Sequence, residues 1–243
     1  MQQQYENYTL ADLLVWKTLF ERQYDNLQDK ASQTYLDALD SMNTALHADA
    51  IPRFEELDGI LTKQTGWSIE VVPGILPVVA FFELLSRRRF CSSTWLRTPA
   101  QLDYLEEPDM FHDIFGHVPL LMYDRYADFM QEVGRLGYAC RDMPILLDAM
   151  ERVYWYSIEF GLVSADTDFK IYGAGTLSSF GETNAIFHPD TDIRPFDLDE
   201  IMSMSFIKSE LQTKYYVIDS MDTLFDSLTY IEWKLKQAES QRV

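Results

Sequence analysis

Glu107-Pro108-Asp109-Met110-Phe111-His112-Asp113-Ile114-Phe115-Gly116-His117-Val118-Pro119 holds two of the four histidines in the chain. Their spacing is five, which on a regular helix sets the rings about 140° apart, unlike the four-residue spacing of zinc proteases that stacks both on one face. Two ligands here require a break in the helix. Gly116 just before His117 and Pro119 just after it supply one, by ending the helix and letting His117 swing toward His112. The alternative is a pair of unrelated core histidines.

A third ligand is a carboxylate lacking a cationic neighbour, and Glu159 qualifies. At helical spacing it is flanked by Trp155, Tyr156, Leu162 and Val163. An ionised carboxylate among such residues is costly unless something positive neutralises it, and a metal is the simplest candidate. Two imidazoles and one carboxylate leave about half of an octahedral ion open, the arrangement of non-haem Fe(II) enzymes that handle dioxygen. Zinc hydrolases use the same ligand types, so the ligands alone do not choose the metal. Arg97 follows Phe90, Trp95 and Leu96. It is suited to clamping a carboxylate bidentately with Asp109 as its support, or to an ordinary surface ion pair.

Outward from these residues, the 243-residue chain is 47% hydrophobic and 14% aromatic, enough for a sizeable core and incompatible with disorder. Twenty basic against 39 acidic residues give a net charge of −19, which argues against nucleic acid and anionic membrane as partners. The longest uncharged apolar stretch, Val71 to Phe82, is broken by Pro73, Gly74 and Pro77 and falls short of the ~18 residues a span needs. The N-terminus has no secretory pattern, and only Cys91 and Cys140 are present, so a reducing cytoplasm is expected.

Periodicity predicts helices through residues 1–66, with Pro52 in a first helical turn. It predicts a short strand at Trp67–Val72, and helices at Leu76–Arg89, Arg125–Leu136, Leu146–Val163 and Met221–Ala238. Arg87, Arg88 and Arg89 read as a solvated helix end. Phe169–Phe180, rich in Gly and Ser, reads as a loop lining a cavity, and Lys214–Ile218 as a strand. One mainly α domain with short β strands (α+β) is the expectation: a helical part at 1–66, a core at 67–217 and a C-terminal helix at 218–243.

Three ordered segments, Pro108 to Pro119, Tyr154-Trp155 with Ile158 to Leu162, and Tyr172 to Glu182, together resemble the catalytic domain of the pterin-dependent aromatic amino acid hydroxylases. The resemblance runs from about Trp67 to Val217 and is nearest to bacterial members acting on phenylalanine. It implies that family's catalytic-domain fold, with Fe(II) and tetrahydrobiopterin or a related tetrahydropterin as cofactors. L-Phenylalanine and O2 are the implied substrates and L-tyrosine the product, with attack elsewhere on the ring, or on tryptophan, as the alternative. By resemblance His112, His117 and Glu159 are the iron ligands. Phe81 stacks on the pterin, while Asp113 and Glu182 serve the pterin side. Arg97 with Asp109 binds the substrate carboxylate, and Pro108, Trp155, Gly175 and Ser178 wall the pocket, Ser178 also bracing His112. Asp113 stands where many relatives carry Glu, and Leu105 where animal relatives carry a hydroxyl residue. A monomer without the animal enzymes' regulatory domain is the expectation.

Overall fold

The computed structural model describes residues 1–103, 105, 107–166, 168–205 and 211–240. Its N-terminal third is helical, as the apolar spacing requires: α1 (Leu10–Leu27), α2 (Gln33–Ser41) and α3 (Phe54–Gln64). Thr9 and Asp12 form a reciprocal capping box at the start of α1, satisfying amide donors that the first turn leaves without partners. Pro52 lies outside the first turn of α3, whose N-cap is Arg53.

Strand β1 (Ser68–Val71) pairs in parallel with β2 (Arg89–Ser92), and α4 (Val78–Ser86) connects them. The helix expected to run to Arg89 therefore stops three residues early. Arg88 takes a left-handed φ of 55° there. Its guanidinium is no solvated terminus, for it bonds Gln131, Asp128 and the Thr65 carbonyl.

Helices α5 (Asp124–Ala139) and α6 (Pro144–Tyr154) follow, and α5 packs extensively on α4. Strands β3 (Gly161–Ser164), β4 (Phe169–Ile171), β5 (Asp192–Pro195) and β6 (Lys214–Ile218) form a second sheet in the order β4-β3-β6-β5, with only the β3/β4 pair antiparallel. The stretch read as a loop, Phe169–Phe180, holds β4, the short helix α7 (Ala174–Leu177) and the first residue of α8 (Phe180–Ala185). Helix α9 (Leu198–Ser203) leads toward β6, and α10 (Met221–Ser240) closes the description. The last three residues of the expected C-terminal helix, 241–243, lie outside the described residues. No described helix is long and apolar enough to cross a membrane.

Buried side chains from most of these elements form one contiguous cluster, and the first helices pack directly on the histidine segment. Trp16 meets Phe111 edge-on at 5.5 Å, Phe20 meets Phe115 at 5.2 Å, and Phe111 stacks on Phe115 at 4.7 Å. From α2, the buried Tyr35 hydroxyl donates to the Phe115 carbonyl at 2.7 Å. Residues 10–41 thus brace the segment that carries both histidines.

Candidate active site

Asp109 opens that segment. Its Oδ1 accepts the His112 amide at 3.0 Å, a cap on the turn that starts at Met110. The chain then winds as a π-helix over His112–His117. Its i→i+5 bonding brings the fifth residue round toward the face of the first, which a regular helix would not do. The helix is therefore widened at His117, where the sequence suggested that it ends. Gly116 has a different function from the helix stop assigned to it, since a Cβ there would stand 2.8 Å from the Ala174 carbonyl oxygen. Glycine lets α7 close on the histidine segment.

Glu159 arrives by the same device. The helix expected over Leu146–Val163 is α up to Tyr154, π over Trp155–Glu159, and then strand from Gly161. The Phe160 amide bonds back to the Trp155 carbonyl at 3.0 Å, and Ser157 Oγ donates to the Val153 carbonyl at 2.5 Å. Two wide turns, both bordering one cavity, present the three side chains to each other.

Their donor atoms form a triangle. His112 Nε2 and His117 Nε2 are 3.2 Å apart, Glu159 Oε1 is 3.1 Å from His117 Nε2, and Glu159 Oε2 is 3.7 Å from His112 Nε2. Donors ~2.1 Å from one ion stand ~3.0 Å apart at right angles and ~3.4 Å apart at the tetrahedral angle. The triangle therefore fits a first-row divalent ion, and these residues are the one His/Cys/Asp/Glu group of this kind among the described residues.

Protonation agrees with ligation. Ser178 Oγ donates its single proton to the Ala174 carbonyl at 2.7 Å, so at 2.9 Å from His112 Nδ1 it accepts. His112 thus carries its proton on Nδ1 and offers a lone pair at Nε2. Burial, opposed by Glu159, lowers His112 to about 4. Burial raises the Glu159 carboxyl, but the pull of His117 and His112, with hydrogen bonds from His117 and Tyr154, outweighs it and brings the group down to about 2. The site is a neutral imidazole beside an ionised carboxylate, as a cation requires.

All three donors line a cavity of about 450 Å³. On one side Arg97 and Asp109 are paired through Nε–Oδ2 and Nη2–Oδ1, both 2.9 Å, at 3% and 0% side-chain exposure. Asp109 also accepts the Arg97 amide at 2.9 Å. Such a buried pair resists loss of either member, at about 3–5 kcal/mol. Pro108, Trp155, Gly175 and Ser178 share this wall. Gly175 is more than a turn residue, because a Cβ there would stand 2.8 Å from the Phe160 ring.

On the other side Phe81 lines the cavity from α4, its ring met edge-on by Tyr154 at 4.9 Å. Asp113 is buried, and its Oδ2 accepts the Ser93 amide at 2.9 Å. Burial raises its carboxyl well above the ordinary range. Glu182, which the sequence alone suggested was solvated, is 5% exposed. Its oxygens accept from the Gln212 amide at 3.0 Å and the Tyr215 hydroxyl at 2.8 Å, while desolvation raises its pKa. Every candidate site residue read from the sequence therefore borders this one cavity or, for Asp109, supports a residue that does.

Three contributors were not recognised in the sequence. Tyr154 stacks near His117, at 6.3 Å between ring centres, and helps to lower the Glu159 carboxyl. Gln212 ties the cavity wall together, accepting Trp155 Nε1–H at 3.1 Å through its side chain while its amide serves Glu182. Tyr35 is the third. Tyr154 had a signal in standing five residues before Glu159, the spacing that separates the two histidines; the others depend on long-range contacts.

The cavity thus presents two imidazoles and one carboxylate to a single divalent ion, the donor set used by non-haem iron enzymes. Residues 3–240 match the profile of the family described as biopterin-dependent aromatic amino acid hydroxylase, and the chain belongs to that family. It is 42% identical over 228 residues to phenylalanine-4-hydroxylase of Ralstonia nicotianae, covering 93% of this chain and 72% of that one. The Caulobacter vibrioides phenylalanine-4-hydroxylase is 41% identical, covering 91% of this chain and 75% of its own length. Among solved structures, Chromobacterium violaceum phenylalanine hydroxylase with bound iron(III) and 7,8-dihydrobiopterin superposes with a TM-score of 0.88 at 38% identity, covering 98% of this chain and 86% of that one.

Proposed function

We propose that this chain is a phenylalanine 4-monooxygenase that converts L-phenylalanine to L-tyrosine with O2, a tetrahydropterin and non-haem Fe(II). The observation that carries the reading is the convergence of His112, His117 and Glu159 on a cavity that is also lined by an anchored arginine and an aromatic face. The family assignment and the phenylalanine hydroxylases similar to it support the same substrate.

Iron held by the three donors, together with the pterin, supplies dioxygen activation. The chain's own task is placement. Arg97, fixed in plane by Asp109, receives the substrate carboxylate as a fork. Trp155 and Pro108 would align the substrate ring toward the side chains that hold the metal. Phe81 takes the pterin ring by stacking, and Asp113 and Glu182 set polar contacts on that side. The apolar share of the wall would exclude water from the space where substrate and cofactor meet.

We also assign the chain to a single catalytic domain acting as a cytoplasmic monomer. Neither Cys91 nor Cys140 forms a disulfide, which suits a reducing compartment. The test is direct: protein supplied with ferrous iron, a tetrahydropterin and phenylalanine yields tyrosine by chromatography. A product hydroxylated elsewhere on the ring, or no product, overturns the assignment.

A further inference from the structure

Of the described residues between Thr98 and Pro108, Leu105, Glu107 and Pro108 line the cavity. None of the segment's described residues is buried. Leu102 alone among them packs on the core, and Thr98 and Gln101 cap only the segment's own turn. Among the described residues, little within the segment itself fixes its height above the cavity.

Polar bonds from elsewhere reach its described residues at one place, Leu102–Asp103, and from two elements. Arg22 of α1 donates from Nη1 to Asp103 Oδ1 and from Nη2 to the Leu102 carbonyl, each at 2.7 Å. The Gly181 amide of α8 donates to the Asp103 carbonyl at 3.3 Å. A Cβ on Gly181 would stand 3.0 Å from that oxygen, so glycine keeps this seam closed. The Arg22 guanidinium also lies 4.3 Å over the Phe180 ring, the first residue of α8.

An exposed ion pair by itself contributes little. Arg22 differs because its planar fork is committed at once to a carboxylate, a carbonyl and an aromatic face, three partners that fix its orientation. Its neighbour Gln23, 2% exposed, sets where α1 stands by donating to the Leu177 carbonyl and Thr183 Oγ1, both at 2.7 Å.

We propose that Arg22 is a positioning residue for the amino acid substrate: it latches Leu102–Asp103 to α1 and α8 and thereby sets the wall to which Leu105, Glu107 and Pro108 contribute. The proposal rests on the reading above that this wall faces the amino acid. Of the pterin-side residues, Phe81 and Asp113 lie on α4 and the histidine segment, which the latch does not bond, and Glu182 on α8 is held separately by the Gln212 amide and the Tyr215 hydroxyl, so the latch acts chiefly on the amino acid side.

The experiment compares iron-loaded wild type with Arg22→Met, Arg22→Lys and Asp103→Ala. Arg22→Met should raise the phenylalanine KM about tenfold, with the pterin KM changed less than about twofold, and less tyrosine should form per pterin oxidised. Arg22→Lys should recover part of the loss. Asp103, whose side chain is 79% exposed, tests the same bond from the solvent side without disturbing the core, and its alanine variant should shift the phenylalanine KM in the same direction. An unchanged phenylalanine KM, or both KM values rising together, overturns the latch. Hydrogen exchange of the 98–103 amides, read without substrate, should quicken in Arg22→Met; unchanged exchange also overturns it. A wild type that made no tyrosine would defeat the functional reading, while the exchange result would still decide the latch.

Discussion

Ser178 Oγ stands between His112 Nδ1 at 2.9 Å and the Ala174 carbonyl at 2.7 Å, and because a carbonyl only accepts, the imidazole is the donor. One hydroxyl on α7's C-cap therefore chooses the tautomer of a residue 66 positions away and turns its Nε2 lone pair toward Glu159 and His117.

Ser178→Ala removes that choice while leaving the ring in place. Ferrous iron affinity, measured by anaerobic titration, should fall about 10- to 100-fold, the usual effect of losing a partner to a ligating histidine. Ser178→Thr, which keeps the hydroxyl, should retain more of it. Equal affinities in wild type and the alanine variant would remove Ser178 from the account.

Tyr35→Phe deletes one oxygen at a site remote from the cavity. The buried Phe115 carbonyl, inside the π-helix, then loses the donor that reaches it at 2.7 Å. Denaturant melts should show a loss of about 1–3 kcal/mol. A variant as stable as wild type would mean that the wide turn does not depend on α2.

Glu182 gives a pH signature. Burial raises its carboxyl, so the folded protein binds this proton more tightly than the unfolded chain. Its contribution to stability is most favourable below the unfolded pKa and declines as pH rises through the folded one. Stability of Glu182→Gln relative to wild type should accordingly improve as pH increases from the ordinary carboxylate range toward neutrality. A difference that stayed constant with pH would contradict the raised pKa.

Much of this was readable from the chain because the informative residues are unusual where they stand. Two histidines so close together, a glutamate amid aromatics, and an arginine after an apolar run each conflict with ordinary packing, and the cavity resolves all three conflicts. The mode of convergence was not readable. Apolar periodicity counts residues per turn and assumes the α value, so at His112–His117 and Trp155–Glu159 it gave a broken helix and an overlong one. A π turn is stabilised by what packs around it: Tyr35 on the Phe115 carbonyl, and Ala174 against Gly116. Those contacts join segments 58 to 80 positions apart, beyond the reach of local pattern. The burial of Glu182 was hidden for the same reason, since its partners Gln212 and Tyr215 arrive with β6.

The central claim is that His112, His117 and Glu159 hold one metal ion together. Anaerobic Fe(II) titration of wild type and Glu159→Ala, with circular dichroism to confirm that both are folded, tests it most directly. The account predicts one iron per wild-type chain and loss of that binding in the variant; a folded Glu159→Ala protein that binds iron with wild-type affinity would contradict it.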